Sequence, residues 1–407
     1  MKRVVVTGMG IISPLGDDVE AFFDALLAGK SGVRVHDFSW GTQLAAPVLS
    51  DVDAPFPKIK RLSMDRTTQL ALLAVRQACA QSAVDGTPGA GTDSGIYWGT
   101  AMGGAGALEN AYRELFINHS PRLRPMTIVA VMTNGATGQI GIDFGVRGPS
   151  YTYSSACSSS AVAIGEAYRA IRFGIVKSAI TGGADALLTA GVMNAWASLQ
   201  TLAKQDEQHP ETSCRPFSAD RSGFVLGEGA GALVLEEEET ARARGATILA
   251  EIIGYGNSTD AAHIAQPDAE GQSRAMNQAI ADANIAPGQV QHINAHGTGT
   301  VVGDVIETNA IKNVFGVHAH AIPVSATKAL HGHVMGGTGA IEFIATLQAL
   351  RRQAVPPTAH LTHPDPQCDL DYVAEGQRRV EGLEVAMCNS FGFGGNNIAL
   401  IARRYAR

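Results

Sequence analysis

The sequence predicts an α/β protein with largely buried sheets, and three observations carry this prediction. Short apolar stretches with glycine at their ends alternate with stretches of helical periodicity. Hydrophobic residues make up 45% of the 407 residues and charged residues only 17%, which supplies a large core. A second series of strand and helix signals begins near residue 249 and echoes the first. We therefore predict two similar halves, residues 1–245 and residues 246–407.

The first half begins with a buried strand at residues 4–7 (VVVT), after which Gly8 starts a turn. Apolar periodicity predicts three helices in this half, over residues 18–28, 64–82 and 158–173. Short apolar runs bounded by glycine predict three further strands, over residues 94–100, 178–184 and 230–236.

The second half repeats this pattern. Residues 250–259 (AEIIGYGNST) resemble residues 3–13 (RVVVTGMGIIS), since both join an apolar strand, a Gly-x-Gly turn and small polar residues. The stretches CSSSAVAIGEA and HVMGGTGAIEF also resemble each other, so we expect a reactive group at equivalent helix starts. The remaining predicted elements are a helix over 272–283 and strands near 290–294, 322–325 and 384–388.

Charge and cysteine content exclude several classes of protein. The formal net charge is −7, so the surface as a whole does not attract nucleic acid or an acidic membrane. The five cysteines are odd in number and lack motif spacing, which argues against disulfides and zinc and for a reducing compartment. No apolar run approaches membrane-spanning length, and the chain enters a strand without a signal peptide. We therefore expect a soluble, cytoplasmic protein.

Several short motifs resemble cofactor sites without meeting their spacing. The stretch GMG (8–10) follows a strand as in a dinucleotide fingerprint, but the third glycine position holds Ser13. The stretch GKS (29–31) lacks the first P-loop glycine, because aspartate stands at that position. The pairs HAH (318–320) and HGH (331–333) have no cysteine or carboxylate at ligand spacing. We expect neither a nucleotide nor a metal at these stretches.

Cys157 lies among small residues, SSACSSS, directly before a predicted helix. At a helix N-terminus the dipole and the free backbone N–H groups favour the thiolate and lower the pKa of a cysteine. The small neighbours leave room for a substrate, and nearby N–H groups can hold an oxyanion. The pattern predicts a nucleophile, although a buried structural cysteine, as Cys79 is expected to be, also fits this stretch taken alone.

Three further stretches place notable side chains in glycine-rich turns. HINAHGTGT (292–300) ends a strand at His296, and SATKALHGHVMGGTGAIE (325–342) sets Lys328 and His333 around a turn before a helix. A lone histidine is more often a satisfied polar residue than a catalyst, but two histidines and a lysine in such turns favour a catalytic site. NSFGFGGNN (389–397) is a glycine-rich loop with two phenylalanines, which suits a gate.

In these motifs and their order the chain resembles the elongating β-ketoacyl-acyl carrier protein synthases, types I and II, of the thiolase superfamily. ACSSS resembles the nucleophile elbow, NAHGTGT the first histidine motif, SATKALHGH the lysine and second-histidine motif, and NSFGFGGNN the gating loop. RPFSADRSGFVLGEGAGALVLE (215–236) is similar to a further family stretch. The resemblance spans nearly the whole chain. It implies a duplicated βαβαβ core in five layers, α-β-α-β-α, and a homodimer as the usual state.

The resemblance also implies a reaction. Cys157 takes an acyl chain as a thioester from an acyl carrier protein, and the backbone N–H groups of Cys157 and Phe393 form the oxyanion hole. His296 and His333 stabilise the enolate that forms when malonyl carrier loses CO2. The enolate attacks the acyl thioester and yields a 3-oxoacyl chain two carbons longer. No cofactor or metal is required for this chemistry.

Five further positions take supporting roles by the same resemblance. We expect Lys328 to pair with Glu342 and to set the local electrostatics, although a purely structural ion pair is the alternative. Thr298 and Thr300 are similar to residues that hydrogen-bond pantetheine. Leu108, in the glycine-rich turn GGAGALEN, is expected to line the far end of the acyl pocket, with an ordinary core position as the alternative.

A local basic patch is needed to dock the carrier, because acyl carrier proteins are acidic and this chain itself has a formal net charge of −7. Solvated surface charge is the alternative for any one of the basic residues. The candidates are Lys58, Lys60, Arg61, Arg66, Arg122, Arg124 and Arg215.

Departures from the family motifs leave the pathway open. GTGT replaces the common GTST, GFGGNN replaces GFGGTN, and HVMGGTGA replaces the usual GAAGA, without touching a proposed catalytic side chain. Two pathways fit the sequence: housekeeping fatty-acid synthesis, and a specialised pathway such as polyene or type II polyketide synthesis. Two assemblies also fit it: a homodimer, and a heterodimer with a homologue that resembles a chain-length factor.

Three relatives within the superfamily fit less well. A chain-length factor lacks the cysteine that Cys157 supplies, and an initiating synthase has asparagine where this chain has His333. A thiolase has a second cysteine in a Cys-x-Gly motif, which Cys388 does not match. A carrier-binding subunit without catalytic activity is the alternative from a different functional class. Acyl transfer to Cys157 would distinguish an active synthase from such a subunit.

Overall fold

The structure is a computed structural model, and it describes residues 1–38, 40–82 and 91–406. Within those residues the chain forms a mixed α/β fold, which confirms the predicted class. The strands are β1 Val4–Ile12, β2 Arg34–Phe38, β3 Gly41–Ala46, β4 Ser94–Gly99, β5 Ser150–Tyr153, β6 Ser178–Ala186, β7 Leu226–Glu237, β8 Ala250–Thr259, β9 His292–Asn294, β10 Val324–Ser325, β11 Ala354–Val355, β12 Arg378–Arg379, β13 Val385–Gly392 and β14 Asn396–Arg403.

The helices surround and separate these strands. They are α1 Val19–Leu27, α2 Lys58–Arg61, α3 Arg66–Ser82, α4 Ala105–Tyr112, α5 Thr127–Val131, α6 Gly135–Phe144, α7 Ser159–Arg172, α8 Ala190–Ser198, α9 Glu238–Ala243, α10 Ala269–Ala283, α11 Gly303–Phe315, α12 Lys328–His331 and α13 Thr338–Arg352. A π-helical turn spans Arg113–Ile117, and 3₁₀ turns span Pro210–Thr212, Pro287–Gln289, Gly316–Ala321 and Met335–Gly337.

Ten of the strands form one continuous path, β10-β9-β13-β14-β8-β1-β7-β6-β4-β5. The path divides where β1 meets β8, an antiparallel contact of only three residue pairs. On each side of that contact the strands follow the same pattern of two antiparallel pairings and then two parallel ones. The blocks β1-β7-β6-β4-β5 and β8-β14-β13-β9-β10 therefore have equivalent topology. The boundary near residue 245, between α9 and β8, stays a prediction.

Two buried helices, α7 and α13, lie at the centre of the molecule. Every residue of α13 from Thr338 to Leu350 is buried, as are ten of the fourteen residues of α7. The helices approach closely at Gly339, where an added Cβ would lie 3.0 Å from the Ala161 side chain. Full burial of each large apolar side chain stabilises the fold by roughly 1.5–3 kcal/mol. Ala161, Ile164, Ala167 and Ile171 lie on the buried side of α7, whereas Arg169 on its other side is exposed.

The starts of α7 and α13 place the reactive groups. Cys157 lies two residues before α7, and His333 lies five residues before α13. Because the helices occupy matching places in the two blocks, both residues reach the same region of the molecule. Equivalent helix starts are thus observed where the sequence predicted them.

Candidate active site

Cys157 sits on a tight loop between β5 and α7. Ala156 has a positive φ of 52°, which an L-residue adopts only where its surroundings enforce it. The Ser159 hydroxyl accepts from the Ser155 N–H at 2.9 Å and donates to the Ala156 carbonyl at 2.7 Å. The Ser158 hydroxyl donates to the Ser155 carbonyl at 2.9 Å. The serines around Cys157 therefore hold the loop that aims its sulfur.

The predicted gating loop is mostly strand. Residues 389–392 end β13 and residues 396–397 begin β14, so only Phe393, Gly394 and Gly395 form the turn. Both turn glycines have positive φ, 84° and 73°, which other residues adopt rarely. An added Cβ at Gly392 would lie 2.8 Å from the Ser155 carbonyl oxygen. Glycine there lets the turn lie directly against the cysteine loop.

The turn brings Phe393 over the cysteine. Its ring stacks on that of Trp196, with centroids 5.8 Å apart and planes 22° apart. The backbone N–H groups of Phe393 and of Cys157 itself lie within hydrogen-bonding reach of the sulfur and act to lower its pKa. These are the two N–H groups predicted for the oxyanion hole, and that role stays a prediction.

Cys157, His296 and His333 converge at one point. The cysteine sulfur and one ring nitrogen of each histidine all lie within 4.8 Å of one another. The two imidazole rings are nearly perpendicular, with centroids 5.5 Å apart. The His333 Nδ1 lies 2.8 Å from the Thr338 hydroxyl, which leaves Nε2 free to face the site. These three donors could also hold a metal, but only after the thiol lost its proton.

Burial controls the pKa of the cysteine. Burial raises the pKa of the Cys157 thiol to about 11, against the opposing influence of the Lys328 charge and the N–H groups of Phe393 and Cys157. The backbone N–H group of Cys157 acts to lower this pKa, in the direction predicted for the helix start, but burial outweighs it. The Cys157 side chain is buried in an apolar cluster whose other members come from segments far away in the sequence: Leu187, Met193, Phe224, Leu226 and Met335.

Both histidines are neutral. Burial, together with the Lys328 charge, holds the pKa of His296 and that of His333 well below the ordinary value. A neutral imidazole offers one N–H donor and one bare nitrogen. The pair can therefore donate to a developing oxyanion without first adding a positive charge to the site.

Lys328 and Glu342 form a buried ion pair, as predicted from the resemblance. The lysine Nζ lies 2.6 Å from Glu342 Oε2, and both side chains are fully buried. The same Nζ donates to the His296 carbonyl at 2.5 Å. Burial raises the pKa of Glu342 above its ordinary value, and the Lys328 ammonium opposes that rise. The pair is thus bonded directly to the backbone of a proposed catalytic histidine.

Two acids at the start of α11 support the first histidine motif, and the sequence reasoning missed both. Glu307 accepts the backbone N–H groups of His296 and Gly297 at 2.8 Å each. Asp304 accepts the N–H groups of Phe217 at 2.7 Å and Gly299 at 3.1 Å. Their spacing in the sequence could have identified them, because the two acids lie three residues apart directly after a glycine-rich turn.

A cavity of about 390 Å³ leads to Cys157 and both histidines. Thr298 and Thr300 line it, with their hydroxyls 3.0 Å apart. Phe393 and Trp196 also line it, so the predicted gate stands beside the threonines predicted to contact pantetheine. The contacts to a substrate remain predictions.

Leu108 does not lie where the sequence reasoning placed it. It belongs to α4 rather than to a glycine-rich turn, and 37% of it is exposed, which also excludes an ordinary core position. In the described part of the chain it is not among the residues that line the cavity at Cys157. Its influence on chain length stays a prediction without a contact to support it.

The predicted docking residues divide into two groups. Arg61, Arg122 and Arg124 line a second, larger cleft of about 1000 Å³, together with Arg34, Arg66 and Arg113. Lys60 instead pairs with Asp143, and Arg215 pairs with Asp206 and Asp220. The cleft therefore gathers part of the predicted patch. Two of its arginines are also paired, Arg61 with Asp53 and Arg66 with Glu228.

The described helices include none of the length and apolar character needed to cross a bilayer.

Family models match both halves of the chain. The model described as "Beta-ketoacyl synthase, N-terminal domain" matches residues 1–241, and that described as "Beta-ketoacyl synthase, C-terminal domain" matches residues 249–362. A 3-oxoacyl-[acyl-carrier-protein] synthase 2 from Staphylococcus aureus strain COL is 40% identical over 411 residues, with 99% of each chain covered.

Solved structures share the fold over the full length. The ishigamide ketosynthase/chain length factor gives a TM-score of 0.93 at 31% identity, with 100% of both chains covered. A complex of a type II PKS acyl-carrier protein with its ketosynthase, bound to the hexaketide, gives a TM-score of 0.91 at 28% identity. That match covers 99% of this chain and 100% of the other.

Proposed function

The chain belongs to the beta-ketoacyl synthase family, and we propose that it extends acyl chains by decarboxylative condensation on acyl carrier protein. The observation that carries the proposal is the convergence of the Cys157 sulfur with two neutral histidines at the end of one cavity. A cysteine suits a covalent acyl intermediate, and neutral imidazoles suit the stabilisation of an enolate.

The first half-reaction loads the enzyme. The Cys157 sulfur, once deprotonated, attacks the acyl thioester, and the carbon–sulfur bond to the carrier breaks. The N–H groups of Cys157 and Phe393 stabilise the oxyanion of the tetrahedral intermediate. The carrier thiolate leaves and takes up the proton that the cysteine released.

The second half-reaction forms the carbon–carbon bond. The bond from the malonyl carbon to its carboxylate breaks, CO2 leaves, and the electron pair enters the enolate, whose oxygen accepts from His296 and His333. The enolate carbon attacks the acyl carbonyl on Cys157, and the carbon–sulfur bond breaks. The product is a 3-oxoacyl carrier two carbons longer, and the cysteine is restored.

The direct test follows both half-reactions by mass spectrometry. The enzyme is incubated with acyl carrier proteins that bear chains of different length, with and without malonyl carrier. We expect one acyl adduct on Cys157 and, after malonyl carrier is added, the 3-oxoacyl carrier. Carrier binding without any adduct would instead support a non-catalytic carrier-binding subunit.

A specialised pathway is the second candidate for the same chemistry. The likeness to ketosynthases of polyketide type at 31% and 28% identity stands beside the 40% identity to a 3-oxoacyl synthase. The product panel separates the two, because the product masses show which chain lengths and which degrees of reduction the enzyme extends.

We further propose that the carrier docks at the arginine-lined cleft. Arg122 and Arg124 are exposed, and Arg61 and Arg66 line the same cleft. An acidic carrier gains attraction at such a surface despite the net charge of −7. Lys60 and Arg215 were predicted to join this surface, but both are paired with aspartates. Arg61 and Arg66 are also paired, so Arg122 and Arg124 supply the charge that is free for the carrier.

Charge reversal tests the docking surface. Arg122→Glu/Arg124→Glu should raise KM for the acyl carrier and weaken its dependence on salt, with little change for a free pantetheine thioester. Lys177→Glu/Arg242→Glu is the matched control, since both side chains are more than half exposed and neither lines the cleft. Equal losses with both substrates would indicate misfolding instead.

A partner chain is proposed at the free edge of β5. This strand ends the described sheet, and large apolar residues are exposed on it and on α6, which packs against it, among them Tyr151 at 53% and Ile142 at 75%. A second copy or a homologue similar to a chain-length factor could cover this surface. Light scattering after gel filtration should give a dimer, and Tyr151→Asp should give monomers. A monomeric wild type would favour the heterodimer, which would then be tested by co-expression with that homologue.

A further inference from the structure

His331 is a buried ionisable residue that the proposed reaction does not use. It ends α12, three residues after Lys328 and two before His333, and its side chain is fully buried. Its Nε2 lies 3.0 Å from the Thr327 hydroxyl and 3.9 Å from Glu342 Oε1. The Nδ1 has no hydrogen-bond partner among the described residues. The ring therefore makes its one polar contact toward the Lys328–Glu342 pair.

The hydrogen-bond network assigns the proton on this ring. The Thr327 hydroxyl lies 3.2 Å from Glu342 Oε1, and an ionised carboxylate can only accept. The hydroxyl has a single proton, so it donates that proton to Glu342 and must accept from His331. Nε2 of His331 consequently carries the hydrogen, and Nδ1 is bare.

The resulting relay runs from His331 to the first catalytic histidine. His331 donates to Thr327, and Thr327 donates to Oε1 of Glu342. Lys328 donates to Oε2 of the same carboxylate and to the His296 carbonyl. Each member is buried, so each hydrogen bond acts in a medium of low dielectric constant and polarises the next.

We propose that His331 is a positioning residue that, through Thr327, keeps Glu342 ionised and so holds Lys328 on the His296 carbonyl. The charged and titratable groups around His331 are Lys328 on α12, Glu342 on α13 and His333 in the following turn; the aromatic neighbour on α1 is Phe22. Burial and the Lys328 charge hold the ring neutral. Its contribution is therefore a hydrogen bond rather than a charge.

This inference rests on the proposed function, and its test uses the decarboxylation of malonyl carrier. His331→Ala should lower the rate about two- to tenfold, the range expected for one buried hydrogen bond. The acid limb of the pH–rate profile should move to higher pH, because a Glu342 that loses support protonates earlier. His331→Gln should restore both properties, since its amide N–H can replace Nε2.

Thr327→Val provides a second route to the same relay. It keeps the side-chain volume, removes the hydroxyl, and should shift the profile as His331→Ala does. The double variant should be no worse than either single one, because both break one chain of hydrogen bonds. Additive losses, or an unmoved acid limb in both single variants, would overturn the proposal.

An infrared readout keeps this inference separate from the proposed function. The infrared carbonyl band of protonated Glu342 is identified by its loss in Glu342→Gln. As the pH is lowered, this band should appear at a higher pH in His331→Ala than in wild type. A wild type without decarboxylation would overturn the proposed function and leave the infrared shift in place. An active wild type with identical infrared titrations in both proteins would overturn the relay alone.

Discussion

Cys157 and the two histidines meet in one cavity, but the chain positions them by different means. The nucleophile region, residues 154–160 with the turn at Phe393, is held by serine hydroxyls, backbone groups and close glycine contacts. The histidine region, residues 296–300 and 327–338, is held by buried ionisable side chains, chiefly Glu307, Lys328 and Glu342.

The difference indicates how the two half-reactions can be separated. Acyl transfer to Cys157 depends on backbone N–H groups, which side-chain substitutions in the histidine region leave in place. Decarboxylation depends on imidazole donors and on the buried charges behind them. Variants in the histidine region should therefore lose decarboxylation while keeping acylation, and the following experiments test that separation.

The largest effect is expected at the nucleophile itself. Cys157→Ala and Cys157→Ser should abolish condensation, because neither side chain forms a thioester at neutral pH. Intact-protein mass spectrometry should show one acyl adduct in wild type and none in either variant. An adduct that persists in Cys157→Ala would place the nucleophile elsewhere; Cys214, also buried, is the matched control for substitution.

The second prediction concerns the reactivity of the same sulfur with pH. Since burial raises the pKa of Cys157 to about 11, the thiolate fraction should grow about tenfold per pH unit between pH 7 and pH 10. The alkylation rate with iodoacetamide, corrected with Cys157→Ala, should rise without a plateau over this range. A plateau below pH 9 would mean that the helix start dominates, as the sequence alone suggested.

That contrast marks what the sequence could supply. The helix start, the small-residue loop, the Lys328–Glu342 pair and both histidine turns follow from local patterns and from the family resemblance. The burial of Cys157 does not, because its apolar cluster brings together residues as far apart in the sequence as Leu187, Phe224 and Met335. Nor does the relay through His331, since the sequence pattern shows only a histidine pair without further ligands at metal-binding spacing.

The basic patch illustrates the same limit. Arg122 looks like Lys60, Arg61 and Arg215 in sequence, yet the fold gives only the last three of these an acidic partner among the described residues. Charge counting cannot find those partners, because they depend on which helices pack together. The α/β fold itself was predictable, because it depends on periodicity repeated over many residues.

The third prediction tests the histidine region. His296→Ala and His333→Ala should each slow decarboxylation of malonyl carrier by about 10²-fold or more, as expected when a donor to a developing oxyanion is removed. Acylation of Cys157 should suffer less, because the N–H groups of Cys157 and Phe393 remain. Carbon dioxide release and adduct formation are measured on the same samples. If either variant released CO2 at the wild-type rate, the role assigned to that histidine would be wrong.

The smallest effect is expected for the length of the acyl chain that the enzyme accepts. The test compares a substitution in the cavity wall with one at a residue outside the cavity. Trp196 lines the cavity and stacks on Phe393, whereas Leu108 lies on α4 and is 37% exposed. Trp196→Ala should therefore admit longer chains to Cys157, because it opens space beside the gate. Leu108→Ala should change the longest accepted chain little, and its cost in stability should fall below the roughly 2–5 kcal/mol of a fully buried leucine.

Acylation profiles over carriers of increasing length decide between the two positions. A longer limit in Leu108→Ala together with a shorter one in Leu108→Phe would restore Leu108 as the end of the pocket. That result would require the acyl chain to run past the described cavity toward α4.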